Sequence, residues 1–122
     1  MNFQNINWAD SDIERINIEY DHATLLIWND ALQKKLSVDC FGFAGITNLC
    51  IWDDTIIISA RVNSVYNSDN EFVRNLYTAY SKNKDYGGRT LNDEMFELKI
   101  ELSNYISFSV YCQTIEVSEC NV

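Results

Sequence analysis

The chain has 122 residues, with 18 Asp and Glu against 9 Lys and Arg, so its formal net charge is -9. This length is typical of one domain, and a hydrophobic fraction of 47% excludes an intrinsically disordered chain. The acidic excess argues against nucleic acid or an anionic membrane as the partner. No apolar run approaches the roughly 18 residues that a membrane helix needs.

Three segments near the start of the chain predict an antiparallel meander. Apolar and polar residues alternate over 16–20 and 36–40, which is the period of a half-buried strand, and an apolar run occupies 24–28. Asp21-His22 and Asn29-Asp30 are suited to the turns between them. These links are too short for crossover helices, so we expect the three strands to pair antiparallel.

The next segment predicts a bend followed by another strand. Gly42 and Gly45 lie in an apolar stretch, where glycine permits a bend or a bulge. Residues 46–52 fit either a short strand or a loop. Asp53-Asp54 then precedes a β-branched run over 55–62. In this run one face is expected to carry Ile56, Ile58, Ala60 and Val62.

One amphipathic helix is predicted, from Asp69 to Lys82. Ser68 and Glu71 have the spacing of a capping box, with Ser68 as the N-cap. The helix would have a single apolar stripe, formed by Phe72, Val73, Leu76, Tyr77 and Tyr80.

The last third of the chain predicts a second meander. Residues 96–102 and 106–112 alternate between apolar and polar, and Ile115 and Val117 indicate a final edge strand. We therefore predict an α+β fold with a strongly curved, half-barrel-like antiparallel sheet of six to seven strands. The helix would pack on the concave face, which the apolar row formed by Phe96, Leu98 and Ile100 would line.

The four cysteines predict a compartment rather than a metal site. Their spacing matches no zinc motif, and Cys40 and Cys112 fall at inward-facing strand positions. An even count leaves two disulfides open, with three pairings. Residues 1–10 lack the basic and apolar segments of a signal peptide. We therefore expect reduced thiols and a cytoplasmic protein.

Residues that could carry catalysis or bind an ion do not form a recognisable motif. His22 lies beside Asp21, but adjacent strand residues point to opposite faces, so we interpret His22 as an exposed turn residue. Gly87-Gly88-Arg89 lacks the strand, helix and lysine context of a phosphate loop. The ligand order of a calcium loop is absent from the acidic pairs Asp53/Asp54, Asp93/Glu94 and Glu97/Glu101. We predict no catalytic residue, metal or cofactor.

Acidic residues spread over strands and loops, together with exposed aromatic residues, favour docking to a basic protein. Opposite charge accelerates association, and aromatic anchors supply affinity. The candidates for exposed aromatic residues are Trp52, Tyr86, Tyr105 and Tyr111. The residues predicted to bind the partner are Trp52, Asp53, Asp54, Glu97, Glu101 and Tyr105. We favour the cluster at 52–54, because a loop presents side chains more freely than a sheet face.

Three segments resemble a known class of proteins. They are Trp-Asp-Asp-Thr-Ile-Ile-Ile at 52–58, Phe-Glu-Leu-Lys-Ile-Glu-Leu at 96–102 after the helix, and Ile-Ser-Phe-Ser-Val-Tyr-Cys at 106–112. Together they resemble the small immunity proteins of bacterial polymorphic and contact-dependent growth inhibition toxin systems. The resemblance implies a non-enzymatic protein that binds and neutralises a cognate toxin domain, often a basic nuclease.

Two other function classes stay open at this point. A small hydrolase or isomerase could use a carboxylate pair in the concave face of the sheet. An acidic adaptor or chaperone-like subunit would differ from an immunity protein mainly in its partner.

Overall fold

The computed structural model describes residues 1–65, 70–82 and 95–120. In these residues eight strands form two four-stranded antiparallel sheets. The elements in chain order are a short 3-10 helix (Phe3–Asn5), β1 (Asp12–Ile18), β2 (His22–Asn29), β3 (Lys34–Phe41), β4 (Gly45–Thr47), β5 (Ile57–Ser64), α1 (Glu71–Lys82), β6 (Phe96–Leu102), β7 (Ser107–Cys112) and β8 (Thr114–Glu119). The first sheet has the order β1-β2-β3-β8, and the second has the order β4-β7-β6-β5. None of the helices in this part of the chain is long and apolar enough to cross a membrane.

The two sheets pack face to face around one apolar core. The alternation predicted for 36–40 and 98–102 is confirmed, because every second residue there is buried. In β7 the apolar residues Phe108, Val110 and Cys112 are buried as predicted, but Ser109 and Tyr111 between them are buried as well, so the predicted solvated face is wrong there. The first sheet contributes Ala23, Leu25, Ile27, Leu36, Val38 and Cys40, and the second contributes Leu98, Ile100, Leu102, Phe108, Val110 and Cys112. The α+β class with antiparallel strands is confirmed. The single curved sheet is wrong, since the strands divide into two sheets of four.

The division between the sheets occurs at a corner beside Gly42. From Phe41 to Gly45 one strand advances four residues, whereas its partner goes back three, from Thr114 to Tyr111. One residue is therefore extra on the strand that contains Gly42, which is the definition of a β-bulge. Gly42 has φ +64°, in the left-handed region that glycine adopts without strain. The bend predicted from the glycines is confirmed here.

The helix α1 packs on the second sheet, but not on the predicted face. Phe72 and Leu76 pack with Val73 and Tyr111 in a small cluster of their own. Tyr111 lies on β7 between Val110 and Cys112, whose side chains face the core, so α1 covers the outer face. The predicted contact with the row at 96–100 is wrong. Leu98 and Ile100 of that row pack in the core between the two sheets instead.

The start of α1 also differs from the prediction. The helix begins at Glu71, and the Asn70 side chain accepts hydrogen bonds from the backbone N–H of Phe72 (2.9 Å) and Val73 (3.3 Å). Asn70 is therefore the N-cap, because it satisfies amides that have no partner within the helix. Ser68 and Asp69 lie outside the described residues.

The β-branched run that leads into β5 is only partly on the predicted face. Ala60 and Val62 pack against the core, but Ile56 and Ile58 are 38% and 49% exposed. Ile57 takes the inward position, because the register between β5 and β6 shifts between Ile57 and Ser59. A register shift of one residue exchanges the two faces of a strand, so a strict alternation could not predict this segment.

Candidate protein-binding surface

The loop 48–56 and the turn 103–106 are held together by hydrogen bonds. Asn104 Nδ2 donates to the carbonyl oxygen of Ile51 (3.1 Å), and Ser103 N donates to that of Ile56 (2.9 Å). The Ser103 hydroxyl accepts from the backbone N–H of Ile56 (3.1 Å). Four of the six residues predicted to bind a partner therefore lie at one end of the sandwich. They are Trp52, Asp53 and Asp54 in the loop and Tyr105 in the turn.

The start of β1 and the turn between β2 and β3 join the same end. Ile57 N donates to the carbonyl oxygen of Ser11, and Asp10 N donates to that of Ile57, both at 2.8 Å. The Ser11 hydroxyl accepts from the backbone N–H of Asp30 (3.2 Å). We define the acidic end as the five exposed aspartates at this end, Asp10, Asp12, Asp30, Asp53 and Asp54.

Large apolar side chains are exposed among these aspartates. Tyr105 is 96% exposed and Ile51 is 74% exposed, and Leu49, Ile56 and Leu32 are exposed to a lesser degree. Tyr105 has φ +67°, so the turn holds it in a conformation that a bulky residue rarely adopts. An exposed apolar patch with a polar rim is typical of a protein–protein interaction site.

Trp52 has a different environment from the other predicted binding residues. It is half-buried and packs against the core, and its carbonyl oxygen accepts a hydrogen bond from the Thr55 hydroxyl. The Trp52 ring therefore holds the loop against the sandwich. The side chains of Ile51 and Tyr105 are more exposed than that of Trp52, so they are more available to a partner.

The five aspartates of the acidic end form no ion pair in the described residues. Across those residues the ion pairs join Lys34 to Glu119, Lys35 to Glu14 and His22 to Asp39. None of them includes an aspartate of the acidic end. Uncompensated charges of one sign on a small surface raise the local concentration of oppositely charged partners.

Glu97 and Glu101 lie on the outer face of the second sheet, and of the two only Glu101 is near the acidic end. Glu97 Oε2 accepts hydrogen bonds from the Ser109 hydroxyl (2.8 Å) and the Tyr111 hydroxyl (3.0 Å). Glu97 is thus engaged within the protein. Glu101 is half-buried, one residue before β6 ends at the turn that contains Tyr105, and Lys99 lies between the two glutamates, directly opposite Arg61. These two cations offset the negative charge of this face.

Tyr111 was predicted to be exposed, and this is wrong. It is 2% exposed, and its ring lies 5.1 Å from that of Phe72 in α1. Burial raises the pKa of the Tyr111 hydroxyl above its ordinary value, and the neighbouring Glu97 carboxylate raises it further. Tyr86 lies outside the described residues, as do the segment at 87–89 and the pair at 93–94.

His22 is not an exposed turn residue, so that interpretation is wrong. It is the first residue of β2, it is half-buried, and its Nε2 lies 2.9 Å from Asp39 Oδ1 on β3. The Thr24 and Ser37 hydroxyls donate to the two oxygens of the same carboxylate, and the Phe41 ring stacks on the imidazole at 4.8 Å. Each hydroxyl is already hydrogen-bonded to Asp39 and the cluster lies on an open sheet face, so this arrangement is a surface network.

The core between the two sheets contains no buried carboxylate in the described residues. In the described parts of the chain the buried polar residues are Ser11, Asn29 and Ser109. The same parts contain no group of three or more His, Cys, Asp or Glu that could hold a metal ion.

The chain matches no protein-family model and no curated protein sequence. The surface chemistry of the described residues is therefore the basis of the functional argument.

Sequence reasoning missed the contribution of Asp10, Asp12 and Asp30 to this surface. The signal was present, because alternate links of a meander lie at the same end of a sheet, so Asp30 and the start of β1 had to share one end. The position of the second sheet, which brings residues 52–54 to that end, required the structure.

Proposed function

We propose that this protein is a non-enzymatic immunity protein that binds and neutralises a basic toxin domain through the acidic end. The supporting observation is the combination, at one end of the sandwich, of five aspartates that form no ion pair in the described residues with the exposed side chains of Ile51 and Tyr105. The resemblance of residues 52–58, 96–102 and 106–112 to immunity proteins supplies the biological context. In this proposal the protein is cytoplasmic, where it would meet an incoming toxin.

Charge and apolar contact have separate roles in the proposed complex. The aspartates would steer a basic surface toward the acidic end, which raises the association rate constant. The exposed Tyr105 ring would become buried in the complex, and a buried aromatic anchor mainly slows dissociation. Binding at this end also agrees with the net charge of -9, because like-charged partners would be repelled.

The outer faces of the two sheets are less suited to a basic partner. On the second sheet Lys99 and Arg61 lie beside the glutamates, and Glu97 is occupied by internal hydrogen bonds. On the first sheet Asp39 is occupied by His22, Thr24 and Ser37. In the described residues none of the aspartates of the acidic end forms an ion pair, and the nearby Lys34 is paired with Glu119 instead. Asp30 accepts one side-chain hydrogen bond, from Gln33 Nε2 (3.4 Å).

The test uses the toxin domain encoded next to the gene for this chain. Co-expression with that domain should restore growth of the host, and stopped-flow mixing should show an association rate constant that falls about tenfold or more from low to physiological salt. Asp53→Lys with Asp54→Asn should slow association further. Asparagine is used at position 54 because Asp54 has φ +60°, which asparagine tolerates.

A matched control is available at the opposite end of the molecule. Glu19→Lys with Asp21→Asn changes the charge by the same amount in the exposed turn between β1 and β2. This turn is about 23 Å from the acidic end, the length of the seven-residue strand β1. If both double variants slow association equally, net charge rather than the acidic end governs binding. If the neighbouring gene encodes no toxin, or co-expression does not restore growth, the immunity function is refuted.

A further inference from the structure

Cys40 and Cys112 approach each other in the core from opposite sheets. Cys40 lies on β3 of the first sheet and Cys112 ends β7 of the second, and each is 0% exposed. The residues that follow them are hydrogen-bonded across the corner, with Gln113 N donating to the carbonyl oxygen of Phe41 (2.9 Å). The two cysteines therefore flank the bend on its inner side, where inward-pointing side chains converge.

The surroundings of the two thiols in the core affect their reactivity. The Cys112 thiol and burial both raise the pKa of the Cys40 thiol far above its ordinary value. The thiolate is the species that exchanges with disulfides, and a thiol that stays protonated and inaccessible reacts slowly. In the folded protein this pair is thus protected from external oxidants.

We propose that Cys40 and Cys112 form a disulfide that joins the two sheets when the chain folds in an oxidising environment. One cysteine thiolate attacks oxidised glutathione and releases one glutathione thiolate, leaving a mixed disulfide on the protein. The second thiolate then attacks the protein sulfur of that mixed disulfide and releases the second glutathione. The two cysteines are oxidised and one oxidised glutathione is reduced to two glutathione thiolates, which take up the two protons that the cysteine thiols released.

The bond would form before the core closes, because the native thiols are buried. It would close a loop that contains β4, β5, α1, β6 and β7. A disulfide across a long loop restricts the unfolded chain, so the cross-linked protein should be more stable than the reduced one. This staple does not depend on a toxin partner.

The test uses the double variant Cys50→Ser with Cys120→Ser, which keeps only the buried pair. The protein is unfolded, refolded in a mixture of reduced and oxidised glutathione, alkylated and mapped by mass spectrometry. We expect a peptide pair joined through Cys40 and Cys112, a circular dichroism spectrum like that of the reduced protein, and a Tm higher by about 10 °C. A triple variant that adds Cys112→Ser should yield no cross-link.

Two results would overturn the proposal. The first is a native-like refolded protein in which both thiols are alkylated after oxidising refolding. The second is a cross-linked product with a lower Tm or a non-native spectrum, which would mean that the corner cannot hold the bond. As a control, the folded double variant is incubated in oxidised glutathione without denaturant and should keep both thiols. Rapid cross-linking in this control would contradict the statement that the bond forms only before the core closes.

Discussion

Replacing Gly42 with alanine tests the corner that divides the two sheets. An added Cβ would lie 2.5 Å from Gln113 Oε1 and 2.8 Å from Gln113 Cβ. The side-chain oxygen could rotate away, but Gln113 Cβ is fixed to the backbone of the strand that crosses the corner beside Gly42. Relief of this contact therefore requires the two strands to separate.

The expected loss of stability has two parts. Holding alanine at φ +64° costs about 1–2 kcal/mol, and overpacking against Gln113 costs about 1–3 kcal/mol. The lower entropy of the unfolded alanine chain returns about 0.4–1 kcal/mol. Gly42→Ala should therefore lower the free energy of unfolding by about 1–5 kcal/mol, which urea titration monitored by tryptophan fluorescence would measure.

Two further variants separate the causes of this loss. Gly42→Asn keeps the contact with Gln113 but tolerates a positive φ, so it should recover about 1 kcal/mol relative to alanine. Gly45→Ala is the matched control, because its added Cβ would meet only the Phe72 ring at 3.1 Å and a Leu76 methyl at 3.4 Å, both movable side chains of α1. If Gly42→Ala costs no more than Gly45→Ala, the bulge does not depend on glycine and this account of the corner is wrong.

Two other predictions concern the helix and the thiols. Asn70→Ala should lower the free energy of unfolding, measured by urea titration, by about 0.5–2 kcal/mol, because it removes the N-cap. Asn75→Ala is the control: it lies on the exposed side of the same helix, and it should be neutral or slightly stabilising. In the reduced native protein a thiol reagent should label Cys50 and Cys120 but not the buried pair, Cys40 and Cys112. After addition of denaturant all four thiols should be labelled. Fast labelling of the buried pair in the native protein would show that the corner is not buried.

Local patterns in the sequence predicted the strands well where one face of a strand is buried. The alternation at 36–40 and 98–102 reports burial directly, because successive side chains point to opposite faces and only one face is buried. In β7 both faces are buried, so the alternation there predicts the strand but not its exposure. The bend at Gly42 was predictable for a similar reason, since the glycine permits a backbone conformation that other residues avoid. The burial of alternate strand residues and the bend at Gly42 are both determined within one segment, so the sequence of that segment is enough to predict them.

Relations between segments were not predictable in the same way. The apolar row that includes Leu98 and Ile100 needed a cover, and α1 and the first sheet were both able to supply one. No single segment indicates that the strands divide into two sheets whose inward rows cover each other. The helix was therefore predicted on the face that the first sheet covers. The same limit applies to His22, whose partner Asp39 is 17 residues away on β3.

The candidate surface follows the same division between local and distant information. Asp53, Asp54 and Tyr105 were recognised from turn chemistry and exposure, whereas Glu97 was chosen from the alternation alone. Alternation places Glu97 on the outer face but does not reveal that Ser109 and Tyr111 bind it. Charge on an outer face is therefore a weaker guide to a docking site than charge in a loop that the fold leaves exposed.

The Tyr111–Glu97 hydrogen bond predicts a specific alkaline pH dependence of stability. The pKa of Tyr111 is raised in the folded protein, above the ordinary tyrosine value of 10.0, by burial and then by Glu97. The neutral hydroxyl is thus favoured by folding, and its contribution is fully present below pH 10.0 and is lost as the pH rises through the raised pKa.

Tyr111→Phe keeps the ring contact with Phe72 but removes a donor to a carboxylate, so it should cost about 1–3 kcal/mol at neutral pH. The difference in the free energy of unfolding between wild type and this variant should stay constant up to about pH 9 and shrink above pH 10.0. Tyr105→Phe removes a hydroxyl from a side chain that is 96% exposed and should leave stability unchanged at each pH. If the wild-type and Tyr111→Phe curves stay parallel well above pH 10.0, Tyr111 is not the buried donor to Glu97 that holds this side of the sheet beneath α1.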